Sequence, residues 1–297
     1  PMGTIKKHLL ICSTAILFVS VISVQAADPA THKPVVFTAM GCGPYTQEAE
    51  TALTKFIRLE NKTPSSAFII HCGDIVTGKV KDWPESQYAK VANILKESNQ
   101  IPTFIVPGDN EWNDQIDPDR HWGYWEKHFM KFDDAWELPK PASVARQETR
   151  PENFSFVLDG VLFIGINKVG GLVHDESEWA ARHKENATWI SEQFKKHRDD
   201  THAAAIFAQA SAVGNTTAFV SDLRTSAAKY AHPILYLHAN GHKWFVLENE
   251  WADNITHVQL DVVNAIFPPV QITVSGDPTE PFTFDRRLKD PAWRPQP

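Results

Sequence analysis

The chain has 297 residues, 42% hydrophobic and 22% charged, with a formal net charge of −7. That balance supports a sizeable buried core and excludes intrinsic disorder. An acidic chain of this kind does not hold nucleic acid or an anionic lipid surface by charge.

At the amino terminus Lys6, Lys7 and His8 precede the apolar run "LLICSTAILFVSVISV", and small residues follow at Ala26. A basic head, an apolar stretch and a small-residue end form the pattern of a secretory signal. Residues 1–26 are therefore expected to be a signal peptide and 27–297 a single domain, secreted to an extracellular or periplasmic space. No membrane span is expected once the signal is removed, and loss of Lys6 and Lys7 takes the charge from −7 to −9. Cys42 and Cys72 then remain in a compartment that permits disulfides. Asn-x-Ser/Thr sequons begin at Asn61, Asn153, Asn186, Asn215 and Asn254, and mark candidate N-glycosylation sites.

Along the mature chain, "KPVVFTAM" reads as a strand, "TQEAETALTKFIRLE" as a helix and "SAFIIHC" as a strand. "WPESQYAKVANILKES" reads as a helix and "IPTFIVP" as a strand, which completes a βαβαβ run and points to parallel pairing. A looser Asp- and Trp-rich segment follows. "NFSFVLD" and "VLFIGIN", separated by Gly160, predict a hairpin. Next come a helix over Glu178 to Arg198, the strand "AAAIFAQA", a helix over 217–229 and the strand "HPILYLH". From Lys243 onward "KWFVLE", "THVQLDVV", "PVQITVS" and "PFTFDRR" are all β, with antiparallel pairing expected there. The order predicts a layered, mixed α/β fold.

The polar residues gather where strands end. The first strand runs into "MGCGPY", the second into "HCGDIVTG" and the third into "PGDNEW"; later ends are "AQASAVGN" and "LHANGHKW". Ligands bind in the crevice beyond the carboxyl ends of strands in an α/β sheet. Asp74, Asp109, Asn110, Glu111, His238, Asn240 and His242 would share that space without a Lys or Arg among them. Carboxylates crowded in this way repel one another unless a cation compensates. Oxygen and imidazole donors suit Mn, Fe, Zn or Mg. His71, two residues ahead of Gly73, reads as a core histidine. No Gly-x-Ser-x-Gly, Walker or dinucleotide loop is present.

"HCGDIVTG", "PGDNEW" and "HANGHKWF", in this order, resemble the calcineurin-like metallophosphoesterases, and most closely a secreted branch with a Gly-Asp-Asn-Glu-Trp block. "RPENFSF", Gln209–Ala210 and "PFTFDRR" resemble the same branch, so the likeness spans about residues 34–287. The resemblance implies a two-layer mixed β-sandwich flanked by helices. It also implies a site of divalent ions, most plausibly Mn, Fe or Zn, that hydrolyses a small-molecule phosphate ester with an activated water.

Carried over by position, Asp74 is the bridging ligand, and Asp109, His242, Asn240 and His238 complete the candidate metal set. Asn110 and Asp109 take the catalytic positions and Glu111 supports them from behind. Cys42 stands where the resemblance has an Asp ligand, and Gln209 where the wider family has a His. Because Cys42 and Cys72 end strands expected to be neighbours, a Cys42–Cys72 disulfide in part of the metal site is a further expectation. The runner-up function is a catalytically impaired binding or scaffold protein that has lost part of the metal shell.

Overall fold

The computed structural model describes residues 32–98, 100–137, 143–213 and 217–289. The signal segment and the Asn215 sequon lie outside the described residues. None of the described helices is long and apolar enough to cross a membrane.

The βαβαβ run forms as expected. β1 (Val35–Met40), β2 (Ile69–His71) and β3 (Thr103–Ile105) pair in parallel. α1 (Gln47–Lys62) and α2 (Glu85–Lys96) make the crossovers. α1 starts where the Thr46 side chain accepts from Ala49 N, with Glu48 and Glu50 in the first turn and Lys62 in the last. Those charges suit the helix dipole at both ends.

The Asp- and Trp-rich segment, which the sequence reading left without an element, holds a helix, α3 (Pro118–Phe129), whose buried His121, Trp125 and Phe129 recur at helical spacing. Its start is nonetheless written in the sequence. Asp117 accepts from Arg120 N and Pro118 occupies the first turn. Trp122 stacks on Trp125 with ring centroids 5.2 Å apart and meets Trp112 at a tilt, 4.6 Å away, so the three are packing residues.

The rest of the chain builds a second sheet. β4 (Ala145–Arg146), β5 (Phe154–Leu158) and β6 (Val161–Gly165) pair antiparallel. The β5–β6 hairpin turns on Asp159 and Gly160, both at positive φ, the geometry that matches strand twist. α4 (Glu176–His197) leads to β7 (Ala203–Phe207), and α5 (Thr217–Tyr230) to β8 (Ile234–His238). β9 (Phe245–Glu248) and β10 (Ile255–Gln259) close this sheet, while β11 (Val270–Val274) and β12 (Phe282–Asp285) return to the first. The strand orders are β12-β11-β1-β2-β3 and β4-β5-β6-β7-β8-β10-β9. The late strands are not uniformly antiparallel, because β10 lies parallel to β8.

The two sheets face each other across a phenylalanine-rich layer. Phe37, Phe68 and Phe104 meet Phe156, Phe163 and Phe207, with Phe68 and Phe163 ring centroids 4.9 Å apart and Phe104 and Phe156 4.7 Å apart. Strand alternation fixes what lies on each side. On β7 and β8 the odd residues Ala205, Phe207, Leu235 and Leu237 enter this inner layer. The even residues Ala204, Ile206, Ile234 and Tyr236 pack with Ile190 and Phe194 of α4 and Leu223 and Ala227 of α5.

Six parallel strands, β1 to β3 and β6 to β8, deliver their carboxyl ends to one edge of this sandwich. The two turns after β2 and β3 are locked by Glu111, which is fully buried. Its Oε1 accepts from Asp74 N (3.0 Å) and Gly108 N (2.7 Å), and its Oε2 accepts from Ile75 N (3.1 Å). Gly108 is required because any Cβ there would run into Asp74. Glu111→Gln keeps the shape but must turn its NH2 toward a backbone N–H. It is expected to cost about 1–3 kcal/mol and lower Tm by several degrees. An unchanged melting curve would show that the clamp holds nothing.

Candidate metal centre

Cys42 follows β1 and Asp74 follows β2; Asp109 and Asn110 follow β3, Gln209 follows β7, and Asn240 and His242 follow β8. Four of the nine non-glycine residues with positive φ among the described residues are Cys42, Asp74, Asn240 and His242. Left-handed backbone at bulky residues is disfavoured and collects where a fold holds side chains in a particular place.

Three donors converge. The Cys42 sulfur, an Asp74 carboxylate oxygen and a His242 ring nitrogen all lie within 4.8 Å of one another. Cys42 Sγ donates to Asp74 Oδ2 at 3.2 Å and accepts from Asn240 N at 3.0 Å. Gln209 Nε2 donates to the same Oδ2 at 3.0 Å, and Asn110 N to Oδ1 at 3.3 Å. Asp109 shares a side-chain hydrogen bond with Asp74. A Cβ on Gly170 would collide with Asn240 Nδ2 and stand 2.8 Å from Asp109 Oδ2, so those two side chains flank one glycine. Gly170 N in turn donates to Gln209 Oε1 at 2.8 Å.

The electrostatics are those of a cluster that lacks a cation. Cys42 and Asp74 are buried, Asp109 and Glu111 nearly or fully so, and no Lys or Arg among the described residues pairs with any of them. Burial, with Glu111 as a second cause, raises the Asp74 pKa, and burial followed by repulsion from Asp74 raises that of Asp109. Burial lifts Glu111 to about 8, against the Gly108 N–H that holds it down. Burial and the neighbouring Asp74 charge push the Cys42 thiol well up. Every one of these groups would lose its proton more easily beside a divalent ion. A thiolate, a carboxylate and an imidazole, with His242 exposed on the open side, are a donor set such an ion accepts.

Several expectations need correction. Cys42 and Cys72 form no disulfide; both are free. Cys72 turns its Cβ against Gly41, 3.2 Å from where a Cβ there would sit, while the Cys42 thiol turns to Asp74. His238 is not among the converging donors. As an even residue of β8 it points to the helix side, where its Nε2 meets His257 Nε2 at 2.7 Å and His257 Nδ1 meets Glu250. The sequon residues Asn153 and Asn186 are not on the surface of the folded chain. Both residues are fully buried, Asn153 Nδ2 donates to Asn186 Oδ1 and Asn186 Nδ2 to Asn167 O. Asn61 and Asn254 also engage their Nδ2 groups, on Glu97 O and on Ala227 O and His232 O.

One residue of the site escaped the sequence reading. Tyr45 OH accepts from Asn110 Nδ2 at 3.2 Å, and its ring lies 5.8 Å from that of His242. The signal was its place in "MGCGPY", the same strand end that supplies Cys42. His71 behaves as a core histidine, with Nε2 on Gly43 O at 2.8 Å and a pKa that burial lowers to about 4.

Comparison with known proteins bears on the family and the fold. The profile described as calcineurin-like phosphoesterase matches residues 31–222. No curated protein matches the chain in sequence. Similar solved structures include GAP50, the anchor in the inner membrane complex of Plasmodium, at 11% identity and a TM-score of 0.51, covering 85% of this chain and 88% of that one. A dimetal phosphatase from Danio rerio superposes at 8% identity and a TM-score of 0.52, covering 84% and 98%. A 5'-nucleotidase from Candida albicans does so at 13% identity and 0.51, covering 84% of this chain and 51% of that chain. At these identities the superpositions speak for the fold, and the matched profile, which spans well over half the chain, carries the assignment: the chain belongs to the calcineurin-like phosphoesterase family, metal-dependent hydrolases of phosphate esters.

Proposed function

We propose that this chain hydrolyses a small phosphate ester with a divalent ion held by Cys42, Asp74 and His242. The observation that carries the reading is the convergence of those three donors within 4.8 Å on the open edge of the sandwich. A sulfur–nitrogen–oxygen set with one open side suits zinc first and iron second. A bound ion of that kind acidifies water and offsets charge on phosphoryl oxygens.

The remaining steps belong to the chain. Asn110, which faces Tyr45 OH, turns its Nδ2 donor to a phosphoryl oxygen and orients the ester. Asp109, beside Asp74, accepts a proton from the attacking water. Gln209 and Asn240 supply neutral dipoles on the Asp109 side. Neither Asn110 nor Tyr45, whose pKa burial raises, is an acid at neutral pH, so the leaving group departs without help. Esters of acidic alcohols, such as aryl phosphates, are therefore the favoured class. We infer an activity outside the cytoplasm from the basic head and apolar run of residues 6–26 in the sequence.

A second reading is a binding protein on a phosphoesterase scaffold. It rests on Asp74 Oδ2, which already receives Cys42 Sγ and Gln209 Nε2, so the carboxylate is partly satisfied from within.

Two experiments separate the readings. Metal analysis of protein prepared without chelator is expected to find about one zinc or iron per chain. Cys42→Ala and Asp74→Asn should weaken its retention by more than about 100-fold, since even supporting residues of metal sites cost that much. Metal-free wild-type protein with no hydrolysis above Asp74→Asn would leave only the binding reading. For the leaving group, Asn110→His installs an acid and is expected to raise the rate on alkyl phosphates by about 10²-fold while changing aryl phosphates little. Equal effects on both would remove Asn110 from the leaving-group side.

A further inference from the structure

On the helix side of the second sheet lies a group of polar atoms that the metal centre does not use. Lys168, three residues beyond β6, is 3% exposed and has no hydrogen-bond or ion-pair partner among the described residues. Its backbone oxygen accepts from Gln209 N and Ala210 N, which fixes it to the loop after β7. As an even residue it continues the Ile164 and Ile166 side of β6, away from the carboxylates, and its Nζ stands 6.0 Å from the ring of Phe219 in the first turn of α5. His183 of α4 is 5% exposed, its ring 6.2 Å from the same Phe219, and neither of its nitrogens has a partner. The buried Ser211 Oγ and His238 Nδ1 are also without partners.

The charged neighbours of this group are all of one sign. Lys168 feels Arg182, and His183 feels Lys168, Arg182 and Arg150, with no carboxylate acting on either. The charge of Arg182 is already taken up by Glu178 and by the rings of Trp112 and Trp179 on either side. The Lys168 ammonium meets the Phe219 ring and no counter-charge among the described residues, and the buried, partnerless nitrogens of His183 mark the place of an ion or water. Two cation-capable side chains, Lys168 and His183, thus meet around the Phe219 ring with no carboxylate of the described residues beside them.

We propose that Lys168 and His183 bind a small oxyanion, a phosphate or a carboxylate group, between β6, α4 and the first turn of α5. This site is separate from the Cys42–Asp74–His242 cluster and does not depend on the hydrolytic reading. The anion takes the Lys168 ammonium as its charge partner and an N–H of His183 as a second donor, and so completes a part of the interior that is otherwise unsatisfied.

The test uses the full chain, dialysed free of phosphate, with inorganic phosphate as the probe. Binding is read by equilibrium dialysis and by the rise in Tm, against chloride at matched ionic strength. Wild type and Asp74→Asn are both expected to bind saturably. Lys168→Met should lose affinity by about tenfold or more, yet melt higher than wild type in phosphate-free buffer, because its buried charge is gone. His183→Leu should lose affinity by a similar factor and carries the test should Lys168→Met fail to fold. Acetate in place of phosphate distinguishes the ligands: saturation by phosphate alone assigns a phosphoryl group, and saturation by both assigns oxyanions in general. Undiminished phosphate binding in Lys168→Met or His183→Leu overturns the proposal, as does loss of binding in Asp74→Asn alone or an absence of saturable binding by either anion.

Discussion

The burial of Asp74 constrains everything around it. A carboxylate at 1% exposure has to be paired with a cation or surrounded by donors. The chain supplies donors from four directions: the Cys42 thiol, the Gln209 amide, the Asn110 backbone and the shared hydrogen bond with Asp109. These come from the ends of β1, β3 and β7, so holding Asp74 ties those strands to β2 at one edge. The crowding still leaves several acidic groups with raised pKa values, because donors without charge do not offset mutual repulsion. The arrangement tolerates the protein alone and favours a cation more.

Glu111 makes that crowding mechanically stable. It binds three backbone N–H groups of the turns after β2 and β3, so Asp74 and Asp109 cannot move apart to relieve their repulsion. The left-handed backbone at Cys42, Asp74, Asn240 and His242 has the same meaning. Strain at four side chains around one point persists only where the surrounding sandwich over-determines their positions, and here the interlocked phenylalanine layer beneath does so.

Much of this was legible in the sequence for reasons that can be named. The βαβαβ run was readable because short apolar strands and polar, capped helices alternate with different periods. The strand-end motifs were readable because Gly beside Asp marks a sharp turn delivering a side chain. Most of what was missed required three-dimensional information. α3 needed no such information: His121, Trp125 and Phe129 recur at helical spacing and Asp117 and Pro118 signal its start, but the Asp- and Trp-rich composition was read as loop. The placing of His238 with Asn240 and His242 assumed one continuous face, but β8 ends at His238 and the left-handed backbone at Asn240 and His242 turns those two away from it. The Cys42–Cys72 disulfide assumed that adjacent strand ends bring side chains together, but the positive φ at Cys42 turns its thiol toward Asp74. A sequon, similarly, says nothing of burial, and Asn153 donates its amide to Asn186 while Asn186 donates its own to Asn167 O.

Strand alternation does more than place single residues. Along β7 and β8 odd residues face the inner layer and even residues face α4 and α5, until the left-handed backbone at Asn240 and His242 breaks the period. Gln209 and Ala239 fall on the inner side, with Asp74 and Asn240 beyond them, and Lys168 and His238 on the outer. One sheet edge thereby deals acidic and amide groups to one face and basic groups to the other, about one backbone thickness apart. Were the two sets mixed on a single face, Lys168 would pair with Asp74 or Asp109, and neither would have use for an external ion. Keeping them apart leaves each set uncompensated, and it is this separation, a consequence of strand geometry and not of any single side chain, that turns one end of a structural sandwich into a place for ions of both signs.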